Sequence, residues 1–256
     1  FAADSESGEK VVFVFEEDPG LKPYQLQSSA GEELRTTLNG IAEGEVRLPV
    51  TEAEQWIQNR LEEERKRGII SDSQNRGDKN GSENSFEKQE GIRLRIRAIS
   101  PDHQGTGTVE LIPPEGVSVI SDIDDTIKLT GIGEGSEEII RNTFFEPYHP
   151  VPGMADWYRD GLSADPSYHY ISGSPWQLFR PLRQFLIGQE GFPQGSFHMK
   201  DLPKNLFAGN TWRALIEVAS NENATYDQKY RQITTIMGHF PEREFILIGD
   251  SGEKDP

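Results

Sequence analysis

The pattern of hydrophobic and polar positions changes near residue 113 and divides the chain into two parts. In the first part, residues 1–112, short apolar runs are β-branched or alternate with polar residues, and Gly, Pro and Asn separate them. Such runs predict antiparallel strands, here over residues 10–15, 44–49, 92–99 and 107–112. We therefore predict a small β-sandwich domain at the start of the chain.

Two segments between these strands follow other patterns. Residues 53–68 carry many charges, with Trp56, Ile57 and Leu61 as their large apolar residues, which predicts a short solvated helix. Residues 71–91 are almost without apolar residues and are rich in Ser, Asn, Gly and charge. This composition predicts a mobile loop or a disordered insertion.

In the second part, residues 113–256, apolar strands alternate with helical patterns. The predicted strands are 117–123, 168–173, 196–199 and 245–250. Strands that alternate with helices predict an α/β fold with a mostly parallel, doubly wound sheet. Ligands of such sheets bind at the carboxyl ends of the strands, so we expect the functional residues there.

Helical spacing marks two segments between these strands. Ser174 followed by Pro175 predicts the N-cap and first turn of one helix. The apolar side of that helix would be formed by Leu178, Phe179, Leu182, Phe185 and Leu186. A second helix is predicted before Pro241, with an apolar side formed by Tyr226, Tyr230, Ile233, Ile236 and Met237.

The first strand of this second part runs into three aspartates within four positions, in the stretch GVSVISDIDDTIKLTG. Carboxylates this close repel one another, so we expect a cation or a reaction to accompany them. Asp122 and Asp124 would point to the same side of a continuing strand, whereas Asp125 would point away. The alternative for an isolated pair is an Asx turn with solvated carboxylates. A calcium-binding EF-hand is excluded, because Ile127 and Gly133 occupy the positions that need Gly and Glu.

Residues of matching chemistry occur at the ends of other predicted strands. Asp250 ends the last strand and Asp255 follows five residues later, while Ser172 and Gly173 end another strand. Carboxylates, a hydroxyl and a lysine are the groups expected around a hard cation such as Mg²⁺ and a phosphoryl group. The sequence therefore predicts a phosphoryl-transfer site at this edge of the sheet.

Two lysines are candidates for the cationic side chain of this site. Lys229 lies in the helix that leads into the last strand, within the pattern K-x-x-x-I-x-x-I, and Lys200 follows FHM. We prefer Lys229 and keep Lys200 as the alternative. Asp125 and Lys128 are assigned to the turn after the first strand, and Ser174 to its helix cap.

Four blocks of the sequence resemble the catalytic domain of the fungal actin-patch phosphatidate phosphatases, a Mg²⁺-dependent family of haloacid-dehalogenase-like phosphatases. The blocks are IPPEGVSVISDIDDTIK, RNTFFEP with PVPGMADWY, YISGSPWQL and FILIGDSGEKDP. The resemblance implies a Rossmann-like, haloacid-dehalogenase-like fold for residues 113–256. Because the sheet of that superfamily usually continues beyond its fourth motif, we also expect the domain to be truncated at its C-terminus.

The resemblance assigns roles to the motif residues. Asp122 would be the nucleophile that forms an aspartyl-phosphate, and Asp124 would protonate the leaving alkoxide and later activate the hydrolytic water. The transferring phosphoryl group would be bound by Thr126, Ser172, Gly173 and Lys229.

The resemblance also implies a Mg²⁺ ion as cofactor. Its ligands would be Asp122, the backbone carbonyl of Asp124, and Asp250. Asp255 would lie in the nearer shell or bind the waters of the ion.

Composition narrows the functional classes. The net charge of −17 opposes binding to nucleic acid, which depends on cationic side chains. The lack of cysteine excludes disulfides and thiolate metal sites and is compatible with a cytoplasmic protein. No apolar run approaches the ~20 residues of a transmembrane helix. His149, His169 and His198 show no metal-ligand spacing, so we expect ordinary packed or surface residues there.

The resemblance implies hydrolysis of phosphatidate to diacylglycerol and phosphate at a membrane surface. It also implies a cytoplasmic protein peripheral to membranes, at cortical actin patches, with endocytic or actin-patch proteins as partners. One alternative is the same reaction on a soluble or protein-bound phosphomonoester. The other is a non-catalytic membrane or endocytic adaptor.

Two sequence features bear on contact with lipid. Between the first two motifs, the stretch NTFFEPYHPVPGMADWY carries five aromatic residues: Phe144, Phe145, Tyr148, Trp157 and Tyr158. We expect a lid that packs on the core, with a lipid-facing surface as the alternative. Arg93, Arg95 and Arg97 alternate with Ile and Leu, which predicts a solvated sheet face, with contact to anionic lipid as the alternative.

Overall fold

A computed structural model describes most of the chain, and the chain divides into two compact units, residues 1–112 and 113–256. The described residues are 7–28, 30–36, 42, 44–67, 92–131, 141–142, 146–162, 166–201 and 222–251. The insertion predicted over residues 71–91 lies outside them. No helix of the described residues is long and apolar enough to cross a membrane.

The described part of the first unit contains an antiparallel sheet and a helix. Its strands are β1 (Val12–Phe15), β2 (Pro23–Gln25), β3 (Ile92–Ile99) and β4 (Gln104–Leu111), in the order β2-β1-β3-β4. The helix is α1 (Val50–Lys66). The strands predicted over 10–15, 92–99 and 107–112 are therefore confirmed within a few residues.

The prediction for residues 44–49 was wrong. Within the part of the chain that the structure describes, this segment makes only an isolated bridge, in which Glu45 pairs with Gln27. Pro49 ends the segment, where it lies directly before the first residue of α1. The run GEVRLP therefore connects to α1 without forming a strand of the sheet.

The helix α1 packs on the sheet, which corrects the prediction of a solvated helix. Ala53, Trp56 and Ile57 are spaced by three and one residues, so they share one face of the helix. All three are buried, in one cluster with residues of the sheet, Phe15, Tyr24 and Leu94. A helix therefore covers this face, and the described residues of the first unit do not form the second sheet that a β-sandwich needs.

The arginines of β3 are paired with carboxylates of the same unit. Arg93, Arg95 and Arg97 each lie 3.3–3.8 Å from a glutamate oxygen. The Glu17 side chain, 2% exposed, pairs with both Arg95 and Arg60. Because the protein supplies its own anions here, the geometry favours the solvated sheet face over a contact with anionic lipid.

The second unit contains a parallel four-stranded sheet, which confirms the α/β prediction. Its strands are β5 (Gly116–Asp122), β6 (Ser167–Pro175), β7 (Gly195–Lys200) and β8 (Arg243–Ile248), in the order β7-β6-β5-β8. Its described helical segments include α2 (Met154–Asp160) and α4 (Glu222–His239). Between β6 and β7, residues 176–189 form a 3₁₀ turn, the helix α3 (Phe179–Arg183) and a π-helical turn.

Helical segments cover both faces of the parallel sheet. Val119 of β5 and Tyr170 of β6 pack against the segment 176–189 through its buried Leu182 and Phe185. Alternate strand residues pack on α4, which contributes Ile236 to a cluster with Ile120 and Ile171. The chain passes from β5 to β6 and β7 on one side and returns to β8 on the other. This reversal beside β5 is where open α/β sheets bind their ligands.

Two helix predictions need correction in detail. Ser174 is not an N-cap, because β6 continues to Pro175 and the first helical turn starts at Trp176 without a side-chain cap. The predicted apolar side of α4 is only partly buried: Ile236 is in the core, but Tyr226, Tyr230 and Met237 are exposed. The buried side of α4 instead includes Gln228 and Lys229, as described below.

Candidate active site

Strand β5 carries Asp122 to the edge of the sheet. The Asp122 side chain is 5% exposed, and its Oδ1 lies 2.7 Å from Nζ of Lys229 on α4. Its Oδ2 accepts a hydrogen bond of 3.2 Å from the Thr126 hydroxyl. A buried carboxylate is thus held between a cation and a hydroxyl, which compensates for its removal from water.

A tight loop follows β5 and brings the next residues back over the strand end. The amides of Ile127 and Lys128 both donate to the carbonyl of Ile123, at 3.0 Å. Asp125 adopts a positive φ of 56°, and its Oδ1 accepts from the amides of Thr130 and Gly131 at 2.5 and 2.8 Å. Asp125 therefore stabilises the loop through its backbone contacts, in agreement with its predicted place in the turn.

Asp124 receives hydrogen bonds on both of its oxygens. Its Oδ2 accepts from the Ser172 hydroxyl at 2.7 Å, and its Oδ1 accepts from the Thr130 hydroxyl at 2.9 Å. Nζ of Lys128 lies 3.0 Å from the same Oδ1. Burial alone would raise the pKa of Asp124, but the Lys128 ammonium and these hydrogen bonds lower it below its ordinary value.

Lys128 belongs to the site, which the sequence did not reveal. The sequence placed it only in the turn, yet its side chain is 1% exposed and faces Asp124. It lies in the run TIKLT, where nothing but its four-residue distance from Asp124 distinguishes it from a solvated lysine. Each aspartate of the D-x-D pair thus has its own lysine, Lys229 for Asp122 and Lys128 for Asp124.

Strand β6 supplies Ser172 and Gly173. Ser172 is fully buried, and its Oγ accepts from the amide of Ser174 at 2.9 Å while it donates to Asp124. A Cβ on Gly173 would lie 3.1 Å from Cγ2 of Thr225 on α4, closer than side chains normally approach. Glycine therefore allows α4 to pack closely against the strand end.

The two candidate lysines lie in different environments. Lys229 is 4% exposed and contacts Asp122, whereas Nζ of Lys200 donates to the Thr225 hydroxyl at 3.2 Å. The geometry therefore favours Lys229 over Lys200 as the lysine beside Asp122. Asp122 and Lys229 line a small crevice whose other walls are Ile120, Ile171, Ile233, Leu247 and Ile248.

The predicted metal ligands lie only partly within the described residues. Ser121 pairs with Ile248, so Asp122 and Asp250 follow neighbouring parallel strands at the same edge of the sheet. Carboxylate and carbonyl oxygens suit Mg²⁺, which proteins commonly hold through one or two carboxylates together with water and phosphate. In the described ranges no three carboxylates or imidazoles form a metal cluster, and Asp255 lies outside these ranges.

Aromatic residues contact the end of β5. The Tyr158 hydroxyl is 2.7 Å from Oγ of Ser121, and the Tyr168 hydroxyl donates to the Tyr158 carbonyl at 2.6 Å. Tyr158 is 1% exposed and Tyr148 packs on Phe185, so these two residues favour a lid that packs on the core over a lipid-facing surface. Trp157 is 42% exposed, and Phe144 and Phe145, which were assigned to the same predicted lid, lie outside the described residues.

The histidines named from the sequence lie away from these carboxylates. His149 is exposed, and none of the hydrogen bonds of His169 and His198 reaches the aspartates. His169 and His198 instead meet at Ser196, on the side of the sheet that α4 covers. The expectation of ordinary packed or surface histidines therefore agrees with the geometry.

Comparison with known proteins assigns the second unit to a family. A family model described as "Phosphatidate phosphatase APP1, catalytic domain" matches residues 117–256, more than half of the chain. The chain belongs to this family. The matched range contains the aspartates, Ser172 and Lys229, so the family assignment and the geometry concern the same part of the chain.

Two curated relatives match over nearly the same length. Phosphatidate phosphatase APP1 of Saccharomyces cerevisiae is 34% identical over 147 residues, which are 56% of this chain and 23% of the yeast protein. An uncharacterized protein of Schizosaccharomyces pombe is 29% identical over 149 residues, 57% of this chain and 23% of that protein. The matched part thus spans about a quarter of each relative, and the resemblance read from the four sequence blocks is confirmed.

Proposed function

We propose that this protein is a Mg²⁺-dependent phosphatidate phosphatase that hydrolyses phosphatidate to diacylglycerol and phosphate. The observation that carries the proposal is the 2.7 Å contact between Asp122 and Lys229, at the end of β5 in a chain of this family. A buried carboxylate beside a buried ammonium, with Ser172 and Asp124 next to them, suits transfer of a dianionic phosphoryl group.

The reaction would proceed in two steps. Asp122 attacks phosphorus, a bond from its carboxylate oxygen to phosphorus forms, and the bond from phosphorus to the glyceryl oxygen breaks. A proton from Asp124 neutralises the leaving alkoxide. Water, deprotonated by Asp124, then attacks the aspartyl-phosphate, which releases inorganic phosphate and restores the Asp122 carboxylate.

The neighbouring residues would bind the phosphoryl oxygens during both steps. Lys229 supplies a positive charge, and Thr126, Ser172 and the amide of Gly173 supply hydrogen bonds. Ser172 donates to Asp124 in this structure, so its hydroxyl has to turn toward the phosphoryl group when substrate binds. That movement removes one of the donors that favour the ionised form of Asp124, which raises the pKa of Asp124 and favours the protonated form that donates to the alkoxide.

The Mg²⁺ site of this proposal uses Asp122, the carbonyl of Asp124 and Asp250, with Asp255 close to the ion or to its waters. The ion would neutralise charge on the phosphoryl oxygens and orient them for in-line attack. The fold of the catalytic unit would be haloacid-dehalogenase-like, and the protein would act in the cytoplasm on membrane surfaces, with endocytic and actin-patch proteins as partners.

The test is phosphate release from phosphatidate in detergent micelles, measured beside soluble phosphate esters, with Mg²⁺ and with EDTA. We expect release only with Mg²⁺, and a loss of at least about a thousandfold in Asp122→Asn. Asp102→Asn, an exposed aspartate of the first unit, is the matched control and keeps full activity.

The result also separates the alternatives. Release from soluble esters but not from phosphatidate would replace the substrate by a soluble or protein-bound phosphomonoester. No release from any ester would refute the enzyme and leave the non-catalytic membrane or endocytic adaptor.

A further inference from the structure

The ammonium group of Lys128 is buried beside Asp124, where polar groups and an aromatic ring surround it. Its Nζ is 2.6 Å from the Thr130 hydroxyl, 3.0 Å from Oδ1 of Asp124 and 5.2 Å from the centre of the Tyr148 ring. The side chain is 1% exposed, so these groups replace water around the charge. Burial of a lysine is tolerated only with such compensation.

The hydrogen bonds in this group have one consistent direction. An ammonium can only donate, so the Thr130 hydroxyl accepts from Lys128. Its own proton then points to Oδ1 of Asp124 at 2.9 Å, which is shorter than the 3.4 Å to the carbonyl of Lys128. Lys128 therefore acts on Asp124 directly and through Thr130, and both contacts fall on the same oxygen.

The other oxygen of Asp124 is turned toward the phosphoryl-binding side. Its Oδ2 accepts from Ser172, which the proposed mechanism places on the transferring phosphoryl group. With Oδ1 fixed by two donors, the carboxyl plane has little freedom to rotate and Oδ2 stays directed at the reacting atoms.

We propose that Lys128 and Thr130 form a clamp that positions Asp124 for acid and base catalysis, with Oδ1 held and Oδ2 presented. The inference rests on the proposed function for its catalytic consequence and on geometry alone for the contact itself. Lys128 and Thr130 are positioning residues, because they act through Asp124.

Stability alone gives a poor reason for this arrangement. An ion pair buried in a protein is often no more stabilising than apolar side chains of the same size. Precise orientation of a proton donor, in contrast, affects the rate strongly, since a misplacement of about 1 Å can cost about a hundredfold.

The contact between Lys128 and Asp124 is tested without any substrate, by thermal unfolding of Lys128→Met, Asp124→Asn and the double variant. Lys128→Met leaves a buried carboxylate without its cation, and we expect the melting temperature to fall by about 10 °C. The double variant removes both charges, so it should lose clearly less than the sum of the two single losses. Strictly additive losses would refute the contact.

The positioning role is tested by steady-state kinetics of two threonine variants. Thr130→Val has nearly the same shape but no hydroxyl, and we expect kcat to fall about tenfold or more while KM for phosphatidate changes by less than about twofold. Thr130→Ser keeps the hydroxyl and should retain kcat within about threefold. Thr234→Val, at an exposed threonine of α4, is the control for the substitution itself and keeps kcat.

The outcomes distinguish the two proposals. An unchanged kcat in a folded Thr130→Val, or an equal loss in Thr130→Ser, would refute positioning even if phosphatidate is hydrolysed. A wild-type protein that hydrolyses no ester would refute the proposed function, and the thermal cycle would still decide whether Lys128 holds Asp124.

Discussion

At the scale of single residues, the main feature is the pairing of each site aspartate with a different lysine. Asp122 contacts Lys229, and Asp124 contacts Lys128. Two buried carboxylates at one strand end would repel each other strongly, and two cations on opposite sides reduce that cost. In the proposed mechanism, this pairing gives the nucleophile Asp122 and the acid-base group Asp124 the different surroundings that the two roles need.

The first prediction concerns the choice between two lysines. Lys229→Met removes the charge proposed to stabilise the phosphoryl oxygens, so we expect kcat for phosphatidate to fall by about 100-fold or more. Lys200→Met removes a lysine whose partner is the Thr225 hydroxyl, and its kcat should stay within about threefold of wild type. Both are measured as phosphate release, after thermal unfolding has shown that each variant is folded. A larger loss in Lys200→Met than in Lys229→Met would reverse the assignment.

The sequence predicted part of this residue-scale arrangement. Asp122 and Lys229 could be named because they lie in recognisable motifs at the ends of predicted elements. Lys128 could not, because burial of a lysine depends on the loop that Asp125 closes and on the position of Tyr148, and both are tertiary features. A pattern of alternating apolar and polar residues cannot distinguish a buried cation from a solvated one.

At the scale of elements, Arg243 joins the beginnings of β5 and β8. Its side chain is buried, and its Nε donates to the Ser118 hydroxyl at 2.8 Å. Its Nη atoms donate to the carbonyls of Pro113, Glu115 and Val117 at 2.5–2.7 Å. A planar guanidinium can serve several acceptors in one plane, which the point charge of a lysine cannot do.

The second prediction follows from this geometry. Arg243→Lys should lower the free energy of unfolding by about 2–4 kcal/mol, because the buried Ser118 hydroxyl and several backbone carbonyls lose the donors of a buried guanidinium. Arg231→Lys is the matched control, since that arginine is exposed on α4 and should change the free energy by less than about 0.5 kcal/mol. Urea denaturation with an unchanged m-value is the measurement. Equal stabilities of the two variants would show that the contacts of Arg243 contribute little.

The elements of the second unit were predicted better than their ends and faces. Strands β5, β6 and β8 are rich in β-branched, aromatic or other apolar residues, which is a strong signal of strands in a parallel sheet. The Ser174–Pro175 pair misled the prediction, because β6 continues through it and pairs Pro175 with Lys200 of β7. The buried face of α4 was also predicted wrongly. Gln228 and Lys229 are buried at the site, whereas Tyr226 and Tyr230 are exposed.

At the scale of the whole molecule, the acidic chain also contains a buried histidine, His169, and a half-buried one, His198, on the α4 side of the parallel sheet. Nδ1 of His169 and Nε2 of His198 both lie within hydrogen-bonding distance of the Ser196 hydroxyl, at 2.8 and 2.9 Å. Burial lowers the pKa of His169 to about 4, and the neighbouring His198 and Arg243 add to this shift. The pKa of His198 is also lowered to about 4 by burial and by His239.

The last prediction is that stability falls when the pH drops from about 6.5 to about 4. In that interval the unfolded chain binds protons at these two imidazoles and the folded protein does not, so acid favours unfolding. Each histidine contributes a slope of up to about 1.4 kcal/mol per pH unit. The lowered pKa of Asp124 acts at lower pH, because its stabilisation is present above the ordinary pKa of 3.8 and is lost only below it.

His169→Asn and His198→Gln keep one polar atom near Ser196 and remove the titration, so each should flatten the pH dependence between 4.5 and 6.5. Urea denaturation across this range measures the slopes, and slopes equal to wild type in both variants would show that these imidazoles are not the cause.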